Sequence, residues 1–181
     1  MTLDCTTARG RLYIARQHEI AARCGATWNV TPVATPDTKG AAVDVMFMRA
    51  TVLASVAEIK ARELTRAQLT RFGSYLVTFE KLEQGRRLAQ TLSVPFLLIV
   101  GLWPDREIVW WPIAKADGTY RFEIRRERTP TQATCNGGQA TRENAYLPLD
   151  HMRLLDADPQ APPAHAIEVC DQPLTWRDIN W

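Results

Sequence analysis

The stretch FLLIVGL, Phe96–Leu102, constrains the fold of this chain more than any other. A strand with one face in water alternates apolar and polar residues; an unbroken apolar run marks a strand covered on both faces. The run is strand-sized and far short of the ~20 residues that a membrane helix needs, and no apolar run in the chain is longer. It therefore predicts an interior strand of a layered α/β domain. With 181 residues, there is room for one such domain and an appendage, but not for two comfortable domains. An apolar fraction of 46% beside 23% charged residues excludes wholesale disorder.

The segments around that strand fall into a readable order. Thr6–Cys24 is predicted as a helix stopped by Gly25. Tyr13, Ile14, Ile20 and Cys24 share its bulky face. Glu19 falls on a stripe of small residues with Ala8, Leu12, Ala15 and Ala22, where it is either a surface acid next to Arg16 and Arg23 or, if that stripe approaches the sheet, part of a site. A loop over Thr27–Gly40 holds a short strand near Trp28–Val33. Ala42–Met48 and Val52–Ala61 read as strands, and the short break between them implies an antiparallel hairpin. Thr65 and Gln68 form a capping box for a short helix ending near Gly73. A brief strand, Ser74–Thr78, precedes a helix over Phe79–Leu92 with Thr78 as N-cap. Strands are expected at Glu107–Ile113 and Thr119–Arg128, then a loop over Thr129–Asn144 centred on Asn136, Gly137 and Gly138, and a further short element over Ala145–Leu155. The Pro/Ala-rich DADPQAPPAH then opens a linker and tail over 156–181, ending in Trp176 and Trp181, a candidate dimer or partner arm.

The hairpin carries the chemistry. Glu58 and Lys60 are two apart, so on a strand they point the same way, roughly 6–7 Å apart at Cα. A turn near Thr51 brings Asp44 opposite Val56–Glu58, with cross-strand Cβ separations of about 5 Å. Two carboxylates at that distance can share a divalent ion, with the Ile59 carbonyl as a third ligand. A Glu-x-Lys pair alone is common by chance. Here, however, the face bearing it is otherwise Val52, Ala54 and Val56, where charges are costly unless paired, coordinated or functional. The cysteines (5, 24, 135 and 170) and histidines (18, 151 and 165) lack ligand spacing, so no zinc site is expected. The net charge of +2 neither demands nor excludes nucleic acid. Arginines cluster at 62, 66 and 71, at 86 and 87, and at 121, 125, 126 and 128; the first group could hold flanking phosphates. Trp110 and Trp111 read as core. The N-terminus MTLDCTTARGRL has no apolar stretch and does not read as a signal peptide, so a cytoplasmic protein with no membrane partner is expected.

Val43-Asp44 and Glu58-Ile59-Lys60, with thirteen residues between the acids and the flanking elements in order, resemble the PD-(D/E)xK nuclease superfamily. LVTFEKLEQGRRLAQTLSVPFLLIVGL is similar to the helix-and-strand segment of archaeal Holliday-junction resolvases and related phage nucleases. Val43 stands where the signature has proline. The resemblance implies a restriction-endonuclease-like core in residues 1–155, a mixed central β-sheet flanked by helices. It implies a metal-dependent DNA endonuclease acting on branched or repair intermediates, as a homodimer where paired cuts are needed. Asp44, Glu58, Lys60 and Lys81 would be catalytic; Lys81 is preferred to Gln84 because it sits in the first turn of its helix. Asp44, Glu58, the Ile59 carbonyl and Glu19 would hold Mg²⁺ or Mn²⁺. Two other readings compete: a nucleic-acid-binding or assembly protein of the same fold without cleavage, and a small-molecule-binding α/β domain. Against the last, no Gly-rich phosphate fingerprint follows a strand.

Overall fold

The structure is a computed structural model that describes residues 7–36, 41–130 and 141–156. Helix α1, Ala8–Trp28, opens on Thr7, whose hydroxyl accepts from the Gly10 N–H at 2.9 Å, and closes on Asn29 in the left-handed region. The stop expected at Gly25 is therefore corrected. Gly25 is buried inside the helix, where a Cβ would meet Pro32 Cδ and the Val30 carbonyl oxygen at 2.8 Å. This glycine admits the returning chain, strand β1 (Thr31–Ala34), instead of ending the helix.

The hairpin forms as predicted from β2, Val45–Arg49, and β3, Val52–Arg62, with Val45 opposite Ala57. The capping box at Thr65 and Gln68 starts α2, Arg66–Phe72, which ends on Gly73 at φ 69°. Next come β4 (Ser74–Thr78), α3 (Phe79–Thr91), β5 (Phe96–Leu102) and β6 (Glu107–Ala114). Strands β7 (Arg125–Pro130), β8 (Thr141–Pro148) and β9 (Arg153–Asp156) complete the described chain. Thr78 occupies the N-cap position of α3 without a side-chain cap bond.

Six strands form one sheet in the order β1-β2-β3-β5-β6-β9, and β4-β8-β7 form a second. In the large sheet β3 and β5 run parallel while the other neighbours are antiparallel. This is the mixed central sheet expected, with helices on both faces. β5 is buried along its whole length. Leu97 and Ile99 pack with Ile20, Cys24 and Trp28 of α1 on one face. Leu98 and Val100 pack on the other with Leu82 and Ala89 of α3 and with Tyr75, Val77 and Leu147 of the small sheet. Burying a large apolar side chain fully contributes roughly 1.5–3 kcal/mol, so this two-sided strand anchors both layers.

The strand expected over Thr119–Arg128 forms only from Arg125 onward. Tyr120 makes a single bridge to Ala114; farther along that edge of β6, Ile108–Trp110 is taken by β9. Tyr120, Phe122 and Ile124 still turn inward against the core, so the apolar alternation is real although most of its ladder is missing. The Tyr120 hydroxyl donates to Glu83 of α3, which also accepts from Arg86 and Arg87. The Arg86 bonds above all hold the Glu83 carboxyl down to about 2. The turn expected at 136–138 lies outside the described residues, as does the tail from 157 onward.

Helix α3 is seated by Gly85, where an added Cβ would lie 2.3 Å from the ring of the fully buried Phe96. Helix propensity alone favours alanine over glycine by about 1 kcal/mol; overpacking a tight core costs about 1–3 kcal/mol. Gly85→Ala is expected to lower stability by up to about 2 kcal/mol net, read from urea denaturation midpoints. A raised midpoint would show that the Phe96 ring can yield.

Candidate active site

Strand β2 accompanies β3 only part of the way. At Val45 the two are paired, and the Asp44 N–H still donates to the Ala57 carbonyl at 2.9 Å. Beyond that point β2 has left. Backbone groups of alternate residues point to the same edge of a strand, so the next pair facing the vacated side belongs to Ile59. A buried N–H or C=O without a partner is costly. Two side chains replace the missing strand: the Ile59 N–H donates to Asp44 Oδ2 at 2.7 Å, and the Ile59 carbonyl accepts from Gln17 Nε2 at 2.8 Å. Gln17 also reaches Asp44 Oδ2 at 3.4 Å.

Glu58 and Lys60 flank this gap. Lys60 Nζ donates to Glu58 Oε1 and lies 3.8 Å from Asp44 Oδ2. One ammonium is thus bracketed by both carboxylates. The Glu58 side chain is 1% exposed, against 21% for Lys60 and 28% for Asp44. Burial pushes the Glu58 carboxyl above its usual range; Lys60 opposes the shift and Asp44 adds to it. Burial alone would depress the Lys60 ammonium, but the charges of Glu58 and Asp44 outweigh it and hold Lys60 above the ordinary lysine value. The second Glu58 oxygen, Oε2, is buried with no hydrogen-bond partner among the described residues. An orphaned anionic oxygen beside a second carboxylate and a free-edge carbonyl suits a hard divalent cation. The donor set of Asp44, Glu58 and the Ile59 carbonyl therefore fits a hard divalent cation.

The other residues singled out from the sequence fall unevenly. Lys81, in the first turn of α3, donates to the Ala41 carbonyl at 3.0 Å. It is close enough for its charge to lower the Glu58 carboxyl, against the effect of burial. Glu19 does not join the site. It is exposed, and so are Ala8, Leu12, Ala15 and Ala22 of its stripe, so the small-residue stripe faces solvent and not the sheet. Among the described residues no group of three His, Cys, Asp or Glu side chains could hold an ion. The helix residue that does reach the site is Gln17, which sequence reasoning missed. Its signal was available: Gln17 stands on the apolar stripe with Tyr13, Ile20 and Cys24, and a lone amide there needs a buried partner. Arg66 is buried, its N–H bonded to Asp105 and its guanidinium 3.3 Å from Glu107. It ties α2 to β6 and is not presented to a phosphate. Trp110 and Trp111 are core residues, as read from the sequence.

A family model described as phage putative PDDEXK endonuclease matches residues 14–142. The match covers more than half of the chain and includes Gln17, Asp44, Glu58, Lys60 and Lys81. No curated protein and no solved structure gives a match.

The buried pair gives a test of its own, independent of any reaction. Removing one partner of a buried ion pair typically costs 3–5 kcal/mol, because the other charge is left uncompensated. Lys60→Met is expected to destabilise the metal-free protein by about 3 kcal/mol at pH 8. The folded-state carboxyl of Glu58 is raised above its unfolded value, so it becomes neutral in the fold as pH falls. The penalty should therefore be full well above that raised value and shrink toward pH 4.5. Denaturant midpoints of both proteins across that range measure it, and a pH-independent difference would show that Glu58 is not the group left uncompensated.

Proposed function

The chain belongs to the phage PD-(D/E)xK endonuclease family, and from that premise we propose a divalent-metal-dependent DNA endonuclease with Asp44, Glu58 and Lys60 at its centre. The observation that carries the reading is the convergence of these residues at the parting of β2 and β3, with Glu58 Oε2 buried and unpartnered. Phosphodiester hydrolysis needs charge neutralisation at the phosphate and a water made nucleophilic. A bound Mg²⁺ or Mn²⁺ supplies both; Asp44, Glu58 and the Ile59 carbonyl would hold it.

The chain's own side chains do the rest. Burial would lower the Lys60 ammonium, but in the metal-free centre the charges of Glu58 and Asp44 hold it above the ordinary lysine value. Lys60 would donate to the attacking water or to a phosphate oxygen, placing positive charge where negative charge develops. Lys81 acts behind the acids. Bonded to the Ala41 carbonyl, it fixes the segment leading into Asp44 and biases Glu58 toward its ionised form.

The similarity of the Leu76–Leu102 segment to junction resolvases supports branched or repair intermediates as substrates. Paired cuts across a four-way junction need two such sites, hence a homodimer. No helix among the described residues is long and apolar enough to cross a membrane.

Cleavage of linear, nicked and four-way-junction DNA in Mg²⁺ or Mn²⁺ tests the proposal, with wild type beside Glu58→Ala and Lys60→Ala. Metal-dependent cutting that falls about 100-fold or more in each variant is expected. Binding without cutting, equal in all three proteins, would overturn the enzyme reading in favour of a nucleic-acid-binding or assembly role.

A further inference from the structure

The Gln17 amide touches the site at two points, and both are atoms that would hold or orient a cation. Its Nε2 donates to the Ile59 carbonyl at 2.8 Å and lies 3.4 Å from Asp44 Oδ2. The same carboxylate oxygen is fixed from the other side by the Ile59 N–H at 2.7 Å. One donor thus turns a carbonyl and a carboxylate toward a common space, and the other Asp44 oxygen is left for a ligand bond. Gln17 is half-buried on the packed face of α1, beside Ile20 and Ala21. Its position is set by the core and not by a flexible loop.

The charge balance around that space is tight. The carboxylates of Asp44 and Glu58 face the ammonium of Lys60, and Lys81 also acts on Glu58. A divalent ion can take both carboxylates as ligands. A second ion would have to share ligands already used and sit nearer the ammonium groups, with no third carboxylate grouped there among the described residues to offset the repulsion. At Gln17 the chain presents an uncharged amide where a glutamate of nearly the same shape would add that carboxylate.

We propose that Gln17 is a positioning residue for the metal and that, as an uncharged amide, it holds the site to a single divalent ion. The proposal rests on the metal-dependent reading above. Outer residues that orient metal ligands typically contribute 10–100-fold to metal affinity.

Mn²⁺ titration followed by the electron paramagnetic resonance of the free ion gives stoichiometry and affinity without reference to activity. Wild type should bind one ion per chain. Gln17→Ala should still bind one, about tenfold or more weakly, with cleavage restored at saturating Mn²⁺. Gln17→Glu should bind two. Thermal midpoints without metal report whether each variant is folded, and if Gln17→Ala is not, the stoichiometry of Gln17→Glu decides. Two ions of similar affinity on wild type, a Gln17→Ala curve that overlays wild type, or a Gln17→Glu protein that still takes one ion would each overturn the proposal. If Asp44→Asn abolishes binding while the Gln17→Ala curve overlays wild type, only the role of Gln17 falls. If wild type binds no Mn²⁺ at all, the metal-dependent reading falls with it.

Discussion

Everything chemical in this protein depends on β3 losing a neighbour at Ile59 while keeping the other. On one edge β3 stays paired with β5 from Val56 to Arg62, so the strand cannot bend away to find water. On the other edge β2 is gone beyond Val45. An orphaned buried backbone group costs about 1–3 kcal/mol, and a donor and an acceptor face the vacated side together. The fold meets that demand with side chains, the Asp44 carboxylate for the N–H and the Gln17 amide for the carbonyl. A structural necessity of the sheet thus places an acid and an amide at one spot, and Glu58 and Lys60 project beside it from the same strand.

The Glu58–Lys60 pair does not exist for stability. An apolar pair of similar volume in such a place is often equal or better, because the desolvation of two charges offsets their attraction. The surrounding strand is otherwise Val56, Ala57, Ile59 and Ala61, all buried, so local pattern and local charge disagree. Conflicts of that kind concentrate at functional sites. The pair also offsets one charge with the other while leaving Glu58 Oε2 without a hydrogen-bond partner among the described residues.

Much of the frame was legible in the residues. FLLIVGL predicted a strand covered on both faces, the short break at Arg49–Thr51 predicted the hairpin, and Thr65 with Gln68 predicted the start of α2. These are local signals, fixed by pattern and capping within a few residues. The errors arose where a distant segment decides. Gly25 looks like a helix stop until Pro32 is known to return against it. Tyr120, Phe122 and Ile124 alternate as a strand would, but a ladder continued from Ala114 along β6 would run into β9 at Trp110. The pairing of β4 with β8 in a separate sheet joins segments about seventy residues apart, beyond any periodicity argument. For the site, Asp44, Glu58 and Lys60 could be read because a hairpin brings them together locally. The choice between Glu19 and Gln17 could not be made from charge. It turns on which side of α1 faces the sheet, and the bulky residues Tyr13, Ile20 and Cys24 settle that in favour of Gln17.

The gap beside Ile59 also explains how one site draws on both layers. Helix α1 packs on one face of the large sheet, against Ala57, Ile59 and Leu97, while α3 packs on the other with Val56 and Leu98. A continuous sheet would wall these helices off from each other, since every backbone group between them would be paired. Where β2 departs, Gln17 comes in from the α1 side, and Lys81 bears on Glu58 from the α3 side. Both helices therefore have to be seated correctly for the centre to form, α1 through Gly25 and the Pro32 contact, α3 through Gly85 and the Phe96 ring. The core glycines and the charged residues belong to one arrangement: tight packing on both sides brings an amide and an ammonium to bear on the stretch of β3 that β2 leaves open.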